Sequence, residues 1–178
     1  AAPAGLTFTS GGANTGTATL TGTPSAAGTF NLLVTATGTA PAATQTLVIT
    51  VNKANQTITF TGPAAQTFSA SPVAVAATAP GGTVVFTSTT PTICSVTGTS
   101  VTMITVGTCT IAANQAGNTN YNAAPQVTQS FLINQATQTI TFGAQAARGF
   151  SATAFQISPL ATASSGLAVS YASTTPAV

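Results

Sequence analysis

The chain has 178 residues, of which 44% are hydrophobic and only two, Lys53 and Arg148, are charged; it contains no Asp, Glu or His. Disordered chains are typically poor in apolar residues and rich in charge, so this composition favours a folded chain with a buried core. General acid–base catalysis and a Ser-His-Asp triad depend on the missing residue types, and so do most calcium and zinc sites. We therefore expect no enzymatic activity, no metal site and no cofactor.

The charge and hydropathy patterns also limit the partners. A formal net charge of +2 on two isolated residues does not form the basic cluster that nucleic acids require. Apolar runs such as VAVAA at 73–77 are far shorter than the roughly 20 residues of a membrane-spanning helix. We expect no nucleic-acid binding and no membrane insertion within this segment. No signal peptide is visible at residue 1, so any export signal is expected to lie outside the segment.

Short runs of alternating apolar and polar residues, rich in Thr, Val and Ile, recur along the chain. This alternation is typical of half-buried strands, and β-branched residues favour strands. Clusters containing Gly and Pro separate the runs, and no stretch has a helical period. The pattern predicts an all-β fold, with a β-sandwich favoured over a closed barrel. The residues predicted to share one strand face are Ile58 with Phe60, Cys109 with Ile111, Val127 with Phe131 and Ile133, and Val169 with Tyr171.

Three short motifs occur twice, which indicates an internal repeat. The copies of the first two are 82 positions apart and those of the third are 85 apart, which implies a three-residue insertion. A unit of about 82 residues with about seven strands has the size of an immunoglobulin-like (Ig-like) domain. The repeated motifs are QTITF at 56–60 and 138–142, FSA at 68–70 and 150–152, and STTP at 88–91 and 173–176.

The middle of the chain resembles the Ig-like repeats of very large bacterial surface and secreted proteins. The matching stretches there are QTITF, STTPTICSVTG, VGTCTI and QAGNTNYNAAP. The first 52 residues are similar to the C-terminal half of a related tandem Ig-like module from the same proteins, through PAGLTF, ATLTGTPSAAGTFNLLVTAT and TQTLVITV. In this chain GTAPAA replaces the acidic residue that usually follows the VTAT strand. The resemblance implies tandem Ig-like β-sandwich domains, which serve as spacers, adhesive heads and fibre subunits alike.

The repeat and the resemblance together predict three segments. Residues 1–52 are expected to form the C-terminal half of an Ig-like module, and residues 53–134 a complete module. Residues 135–178 are expected to form the N-terminal half of a further module. The segment is therefore expected to begin inside one module and to stop inside another.

The two cysteines are each in phase with an apolar neighbour, Cys94 with Val96 and Cys109 with Ile111. Both side chains are therefore expected to point inward. We predict a disulfide bond between them within one domain, which implies an oxidising, extracytoplasmic compartment. A redox or metal-binding pair and a pair of free buried thiols are the alternatives.

Tyr121 lies in GNTNYNAAP, just before the last predicted strand of the middle unit. We predict that this structural aromatic caps the core while its hydroxyl bonds the backbone, as in a tyrosine corner. An exposed contact to a ligand is the alternative. Lys53 and Arg148 are interpreted as solvated charges, and contact with a neighbouring subunit or a polysaccharide is their alternative.

Three further motifs receive structural interpretations. Asn55-Gln56-Thr57 matches the glycosylation sequon, a match that we attribute to chance. The glycine-rich stretches SGGANTG at 10–16 and TAPGG at 78–82 lack the Lys and the helix start of a phosphate-binding loop. Both are predicted to be hairpin or loop tips.

The sequence favours a non-catalytic structural segment, a fibre, filament or stalk, in an extracellular or cell-surface protein of a bacterium. Edge strands normally carry charge that prevents pairing between chains, and a net charge near zero favours association, so we expect self-association. The main alternative is an adhesin-type module that recognises a glycan or host protein through its loops. An accessory domain of an enzyme is a third interpretation, and it would need a catalytic domain outside the segment.

Overall fold

The computed structural model describes residues 2–12, 16–38, 41–149, 151 and 153–174. Every regular element in these residues is a β-strand, and none of them is assigned to a helix. The all-β prediction is confirmed. The chain divides into two compact units, Ala1–Asn134 and Gln135–Val178. A further division of the first unit after residue 52 stays a prediction.

The first unit begins with four strands, here called the N-terminal strands. Strands β1 (Leu6–Ser10) and β2 (Ala18–Gly22) form one antiparallel pair, and β3 (Gly28–Ala36) and β4 (Ala43–Val51) form a longer one. In the second pair Phe30 lies opposite Ile49 and Leu32 lies opposite Leu47. Because side chains alternate along a strand, these apolar residues share one face of the β3–β4 hairpin.

Residues 53–134, here called the central segment, contain nine strands. They form a four-stranded sheet in the order β6–β13–β12–β9, a three-stranded sheet in the order β10–β11–β7, and the pair β5–β8. All neighbours are antiparallel except β13 and β6, which are parallel. The strands are β5 (Thr59–Phe60), β6 (Gln66–Thr67), β7 (Val73–Ala74), β8 (Ala77–Thr78), β9 (Val85–Ser88), β10 (Cys94–Thr97), β11 (Ser100–Met103), β12 (Gly107–Asn114) and β13 (Val127–Asn134).

One hydrophobic cluster holds the sheets of the central segment together. The predicted inward faces are confirmed for Ile58 with Phe60, Cys109 with Ile111, and Phe131 with Ile133, all of which lie in this cluster. Ala112 on the other face of β12 is also buried, so strict alternation does not hold there. Burial of each large apolar side chain contributes about 1.5–3 kcal/mol. The buried members are Ile58, Phe60, Val75, Val84, Phe86, Cys94, Val101, Met103, Cys109, Ile111, Ala113, Phe131 and Ile133.

The second unit contains one short antiparallel pair, β14 (Ile140–Thr141) with β15 (Thr162–Ala163). The strand predicted at Val169 and Tyr171 is wrong, because neither residue is assigned to a strand. A strand needs a hydrogen-bonded neighbour, and no described residue of this unit pairs with 169–171. The alternating pattern is present in the sequence, but the described residues of this unit form no strand beside it.

Candidate functional site

The most buried feature of the central segment is a disulfide. Cys94 on β10 and Cys109 on β12 are bonded, with their Cα atoms 5.7 Å apart, and neither side chain is exposed. The bond joins the three-stranded sheet to the four-stranded sheet within the core. In the described part of the chain no group of three or more His, Cys, Asp or Glu residues lies together. The two cysteines therefore form a cross-link between the sheets, and no cysteine among the described residues has a free thiol.

A second buried feature, which the sequence analysis did not predict, is polar. Gln56 and Gln115 are both more than nine-tenths buried, and the amide of Gln56 donates a hydrogen bond to the side-chain oxygen of Gln115. Gln56 lies just before β5 and Gln115 just after β12. These two amides and the backbone groups that bind them, at Gly81, Gly117 and Asn122, are called the polar clamp.

Each side-chain amide of the polar clamp also forms hydrogen bonds to the backbone of a loop. Gln56 accepts a hydrogen bond from the Gly81 N–H at 2.7 Å and donates to the Asn122 carbonyl at 2.7 Å. Gln115 donates to the Gly81 carbonyl at 3.0 Å and accepts from the Gly117 N–H at 2.6 Å. No buried side-chain nitrogen or oxygen among the described residues lacks a partner. Because an unpaired buried polar group costs about 1–3 kcal/mol, this satisfied network fixes both loops to the end of the core.

Two glycines make the polar clamp sterically possible. A Cβ atom on Gly81 would lie 2.6 Å from the Gln56 side-chain oxygen. Gly117 has a φ of +79°, and a Cβ atom there would lie 2.5 Å from the Tyr121 carbonyl oxygen. Only glycine adopts such a φ without a steric cost. The loop at 78–82, predicted as a loop tip, is a turn in which the Gly82 N–H donates to the Ala79 carbonyl, and it also supplies Gly81 to the clamp.

The loop that contains Tyr121 is ordered by asparagine side chains. The Asn118 side-chain oxygen accepts hydrogen bonds from the N–H groups of Asn120, at 2.8 Å, and Tyr121, at 2.9 Å. The Asn118 amide nitrogen donates to the Gly81 carbonyl at 3.0 Å. Tyr121 itself is half-buried, and its hydrogen bonds within the described residues run through its main chain, which also bridges to Ala54. The capping of the core by its ring stays a prediction.

The same loop contacts the chain that follows β2. The Asn120 side-chain oxygen accepts a hydrogen bond from the Ala27 N–H at 2.9 Å, and its amide nitrogen approaches the Ser25 carbonyl at 3.4 Å. The Ala54 N–H donates to the Asn120 carbonyl at 2.8 Å. Asn120 therefore links the N-terminal strands to the central segment within the first unit.

The apolar residues of the second unit are largely exposed. Phe142 and Tyr171 form an edge-to-face pair with their ring centroids 5.7 Å apart, and the Tyr171 hydroxyl accepts a hydrogen bond from the Ala161 N–H. In spite of these contacts the pair and its neighbours face solvent. The exposed large apolar residues of this unit are Ile140, Phe142, Phe155, Ile157, Leu160, Leu167 and Tyr171.

The N-terminal strands leave open grooves of their own. A cavity of about 670 Å³ lies between β1–β2 and β3, with Phe8, Val34 and Ala36 in its lining. A second groove, of about 400 Å³, runs along the apolar face of the β3–β4 hairpin beside Val34 and Leu47. Among the described residues, the β3–β4 hairpin and the second unit each present an uncovered apolar surface.

Of the remaining residues singled out from the sequence, Arg148 contacts the exposed apolar residues of the second unit. Lys53 is exposed, and the Arg148 guanidinium lies 4.6 Å from the centre of the Phe155 ring. Asn55 of the sequon is exposed and its side-chain oxygen accepts a hydrogen bond from the Asn122 amide. Residues 13–15 of the glycine-rich stretch at 10–16 lie outside the described residues, as do Phe150 and Ala152 of the second FSA motif and the last two residues of the second STTP motif.

A sequence signal for the polar clamp does exist. Gln56 keeps phase with Ile58 and Phe60, and Gln115 keeps phase with Ile111 and Ala113. A glutamine on the apolar face of a strand is a buried polar group, and such groups are hydrogen-bonded in native proteins. This pattern identifies the two buried glutamines. It does not identify Gly81 and Asn122, which bind them from loops distant in sequence.

No described helix has the length and apolar character that crossing a membrane requires. Comparisons of the chain with protein-family models, with curated proteins and with solved structures return no match.

Proposed function

We propose that this chain is a non-catalytic structural segment of a bacterial cell-surface or secreted repeat protein, a fibre, filament or stalk that is built from tandem Ig-like β-sandwich modules and associates with itself. The observation that carries the proposal is that the second unit repeats the geometry of the central segment. Thr59 pairs with Thr78 in the central segment, and Thr141 pairs with Thr162 in the second unit. Thr59 and Thr141 occupy the same position of the repeated QTITF motif. Thr78 and Thr162 are the first residues of the similar stretches TAPGG (78–82) and TASSG (162–166).

The aromatic packing repeats as well. Phe60 and Phe86 pack with centroids 5.3 Å apart, and the Phe142–Tyr171 pair occupies the matching positions. The turn also recurs, since the Gly166 N–H donates to the Ala163 carbonyl as Gly82 does to Ala79. These features support a second copy of the first half of the module in residues 135–178.

The second half of the module is likewise present twice. Gly107 opens β12 with a φ of +134° and Gly28 opens β3 with a φ of +145°. Gly107 lies opposite Ile133 in the β12–β13 hairpin, and Gly28 lies opposite Val51 in the β3–β4 hairpin. This agreement supports the interpretation of residues 1–52 as the C-terminal half of a module, and hence a tandem arrangement.

The stabilising features suit an extracellular rod. The buried disulfide requires oxidising conditions to form and persist, which favours a location outside the cytoplasm. The polar clamp and the Asn118 loop use uncharged amides and backbone groups. Screening by salt acts on charges, so the interactions that hold this segment are insensitive to the ionic conditions at a cell surface.

The strand edges favour self-association. Neither charged residue lies in a strand, so the open edges of the β3–β4 hairpin lack the charges that normally prevent pairing between chains. The exposed apolar residues of the second unit add a surface whose burial between copies the hydrophobic effect would favour. Both features support contacts between copies.

Negative-stain electron microscopy and light scattering of the purified protein test this function. We expect regular filaments or laterally packed fibres. If the images instead show dispersed, flexible single molecules, the self-association part of the proposal would be wrong, and a stalk that does not associate would remain. Hydrolytic or transfer activity of the segment itself would contradict the non-catalytic part.

A further inference from the structure

The linker between the N-terminal strands and the central segment is short. Strand β4 ends at Val51, and only two residues separate it from Ala54. The Ala54 N–H donates to the Asn120 carbonyl at 2.8 Å, and the Ala54 carbonyl accepts from the Asn122 N–H at 2.9 Å. Two residues carry about four soft backbone dihedral angles, so the linker alone would still let the two parts of the chain turn relative to each other.

A second attachment between the two parts lies away from the linker. The Asn120 side-chain oxygen accepts a hydrogen bond from the Ala27 N–H at 2.9 Å, and the Asn120 amide nitrogen approaches the Ser25 carbonyl at 3.4 Å. Ser25 and Ala27 precede β3, whereas the bonds of Ala54 follow β4. The N-terminal strands are thus held at two separate places, and the second place opposes the rotation that the linker would allow.

Apolar packing does not account for this attachment. A cavity of about 160 Å³ lies between the two parts, with Pro24, Val51, Asn52 and Tyr121 in its lining. The residues of the hydrophobic cluster all belong to the central segment. Parts of a chain move relative to each other unless their interface is large and hydrophobic. The hydrogen bonds of Asn120 are therefore specific contacts that resist such motion.

The loop that carries Asn120 is itself fixed to the central segment. The Asn118 side-chain oxygen accepts from the Asn120 N–H at 2.8 Å, and the Asn118 amide nitrogen donates to the Gly81 carbonyl at 3.0 Å. Two residues beyond Asn120, the Asn122 carbonyl accepts from the buried Gln56 amide at 2.7 Å. The loop is tied to the polar clamp on both sides of Asn120, so the Asn120 side chain has a firm base.

We infer that Asn120 fixes the orientation of the N-terminal strands relative to the central segment, so that the two parts move together. The Asn120 side chain acts as a latch across the two-residue linker, and a joint of this kind makes the first unit a stiff spacer. The inference goes beyond the proposed self-association and does not depend on it, because every contact that carries it lies within one chain.

Pulsed dipolar electron paramagnetic resonance between two spin labels tests the joint. The labels are attached to the variant Thr46→Cys/Thr128→Cys, whose substitutions lie at exposed positions of β4 and β13. The native cysteines are bonded and buried, so they take no label under non-reducing conditions. An excess of unlabelled protein is added so that association between copies contributes no distances. The width of the distance distribution then reports the motion of one part relative to the other.

The labelled parent should give one narrow distance distribution. Asn120→Ala should broaden it by about twofold or more, because the interface that remains is small and polar. Asn120→Asp keeps an oxygen that accepts from the Ala27 N–H, so its distribution should resemble the parent more than Asn120→Ala does. The matched control is Asn122→Ala, because the Asn122 side chain lies in the same loop but bonds Asn55 within the central segment. The control should keep the parent width.

Two results would overturn the inference. A broad distribution in the labelled parent would show that the orientation is not fixed, and equal widths for Asn120→Ala and Asn122→Ala would show that Asn120 does not fix it. Asn120 lies outside the hydrophobic cluster, so its variants should stay folded. If Asn120→Ala nevertheless unfolds, a narrow distribution in Asn120→Asp supports the inference and a broad one contradicts it. Filament formation is measured separately, so either proposal can fail while the other stands.

Discussion

The side-chain amides of Gln56 and Gln115, which are 59 positions apart in sequence, form a buried hydrogen bond with each other. Through their remaining donors and acceptors they hold the backbone of Gly81, Gly117 and Asn122. Two distant parts of the central segment are joined at this point by uncharged groups alone. In a chain without acidic side chains, this clamp and the disulfide are two of the specific interactions among the described residues that supplement the core.

Removal of one amide from the clamp should destabilise the first unit. In Gln115→Ala the Gly117 N–H loses its bond to the Gln115 side chain, and the Gly81 carbonyl keeps only its bond from the Asn118 amide. This loss near the core should lower the free energy of unfolding by about 1–3 kcal/mol. The matched control is Gln126→Ala, because Gln126 is exposed and makes its bond to Asn114 at the surface. The control should change the free energy by less than about 0.5 kcal/mol. Urea unfolding measures both, and equal values would contradict the role of the clamp.

Alanine at Gly117 should cost more than alanine at another left-handed glycine. Gly98 has a φ of +60° with open space around its missing Cβ, so Gly98→Ala isolates the backbone cost, which is about 1 kcal/mol. Gly117→Ala meets the same backbone cost and also places its Cβ 2.5 Å from the Tyr121 carbonyl. We expect a further loss of about 1–3 kcal/mol in chemical denaturation. If the two variants have the same free energy of unfolding, the 117–122 loop must relax to accommodate the added Cβ atom without cost.

Loss of the disulfide should weaken the central segment. Its cysteines are separated by 15 positions, and closing a loop of that length stabilises a protein by about 3 kcal/mol. The Cys94→Ala/Cys109→Ala variant should therefore unfold at a lower denaturant concentration. Reductant should lower the stability of the wild-type protein similarly and leave the variant unchanged. A wild-type mass that is unaltered by reduction would contradict the bond itself, since the oxidised chain is lighter by two hydrogen atoms.

The stability of the segment should not depend on pH between acid and neutral conditions. Stability changes with pH only where the folded and unfolded states bind different numbers of protons. Acid unfolding usually acts on carboxylate and histidine side chains, and this sequence has none. Thermal melts of the segment between about pH 2 and pH 8 should overlay within a few degrees, given the ordinary titration ranges of side chains. They should also be insensitive to moderate salt, because screening acts on charges. A clear fall of the melting temperature on acidification would reveal a titrating partner outside these residues.

Much of the fold could be predicted from local alternation. Ile58, Phe60, Ile111 and Phe131 are buried as their phase in the sequence indicates. The period of a strand decides which face a residue occupies, and a strongly apolar face leaves little choice. The inward phase of Cys94 and Cys109 likewise agrees with the bond in the structure.

Features that depend on distant partners could not be predicted. The Gln56–Gln115 bond needs two loops to meet, and alternation says nothing about which loops do so. Tyr171 shows the opposite failure, because its phase suggests a strand whose partner is missing from the described residues of the second unit. The contact of Arg148 with the Phe155 ring also joins residues with no shared periodicity. The local sequence pattern determines which face of a strand a side chain occupies. Which separate segments contact each other can be read only from the tertiary structure.

The central claim is that this chain is a structural segment that associates with itself. Sedimentation equilibrium of the purified 178-residue protein over a wide concentration range tests it most directly. Association into a fibre or filament predicts a weight-average mass that rises steadily with concentration and does not level off at a dimer. A single species of 17.2 kDa, the mass of one chain, at every concentration would contradict the claim.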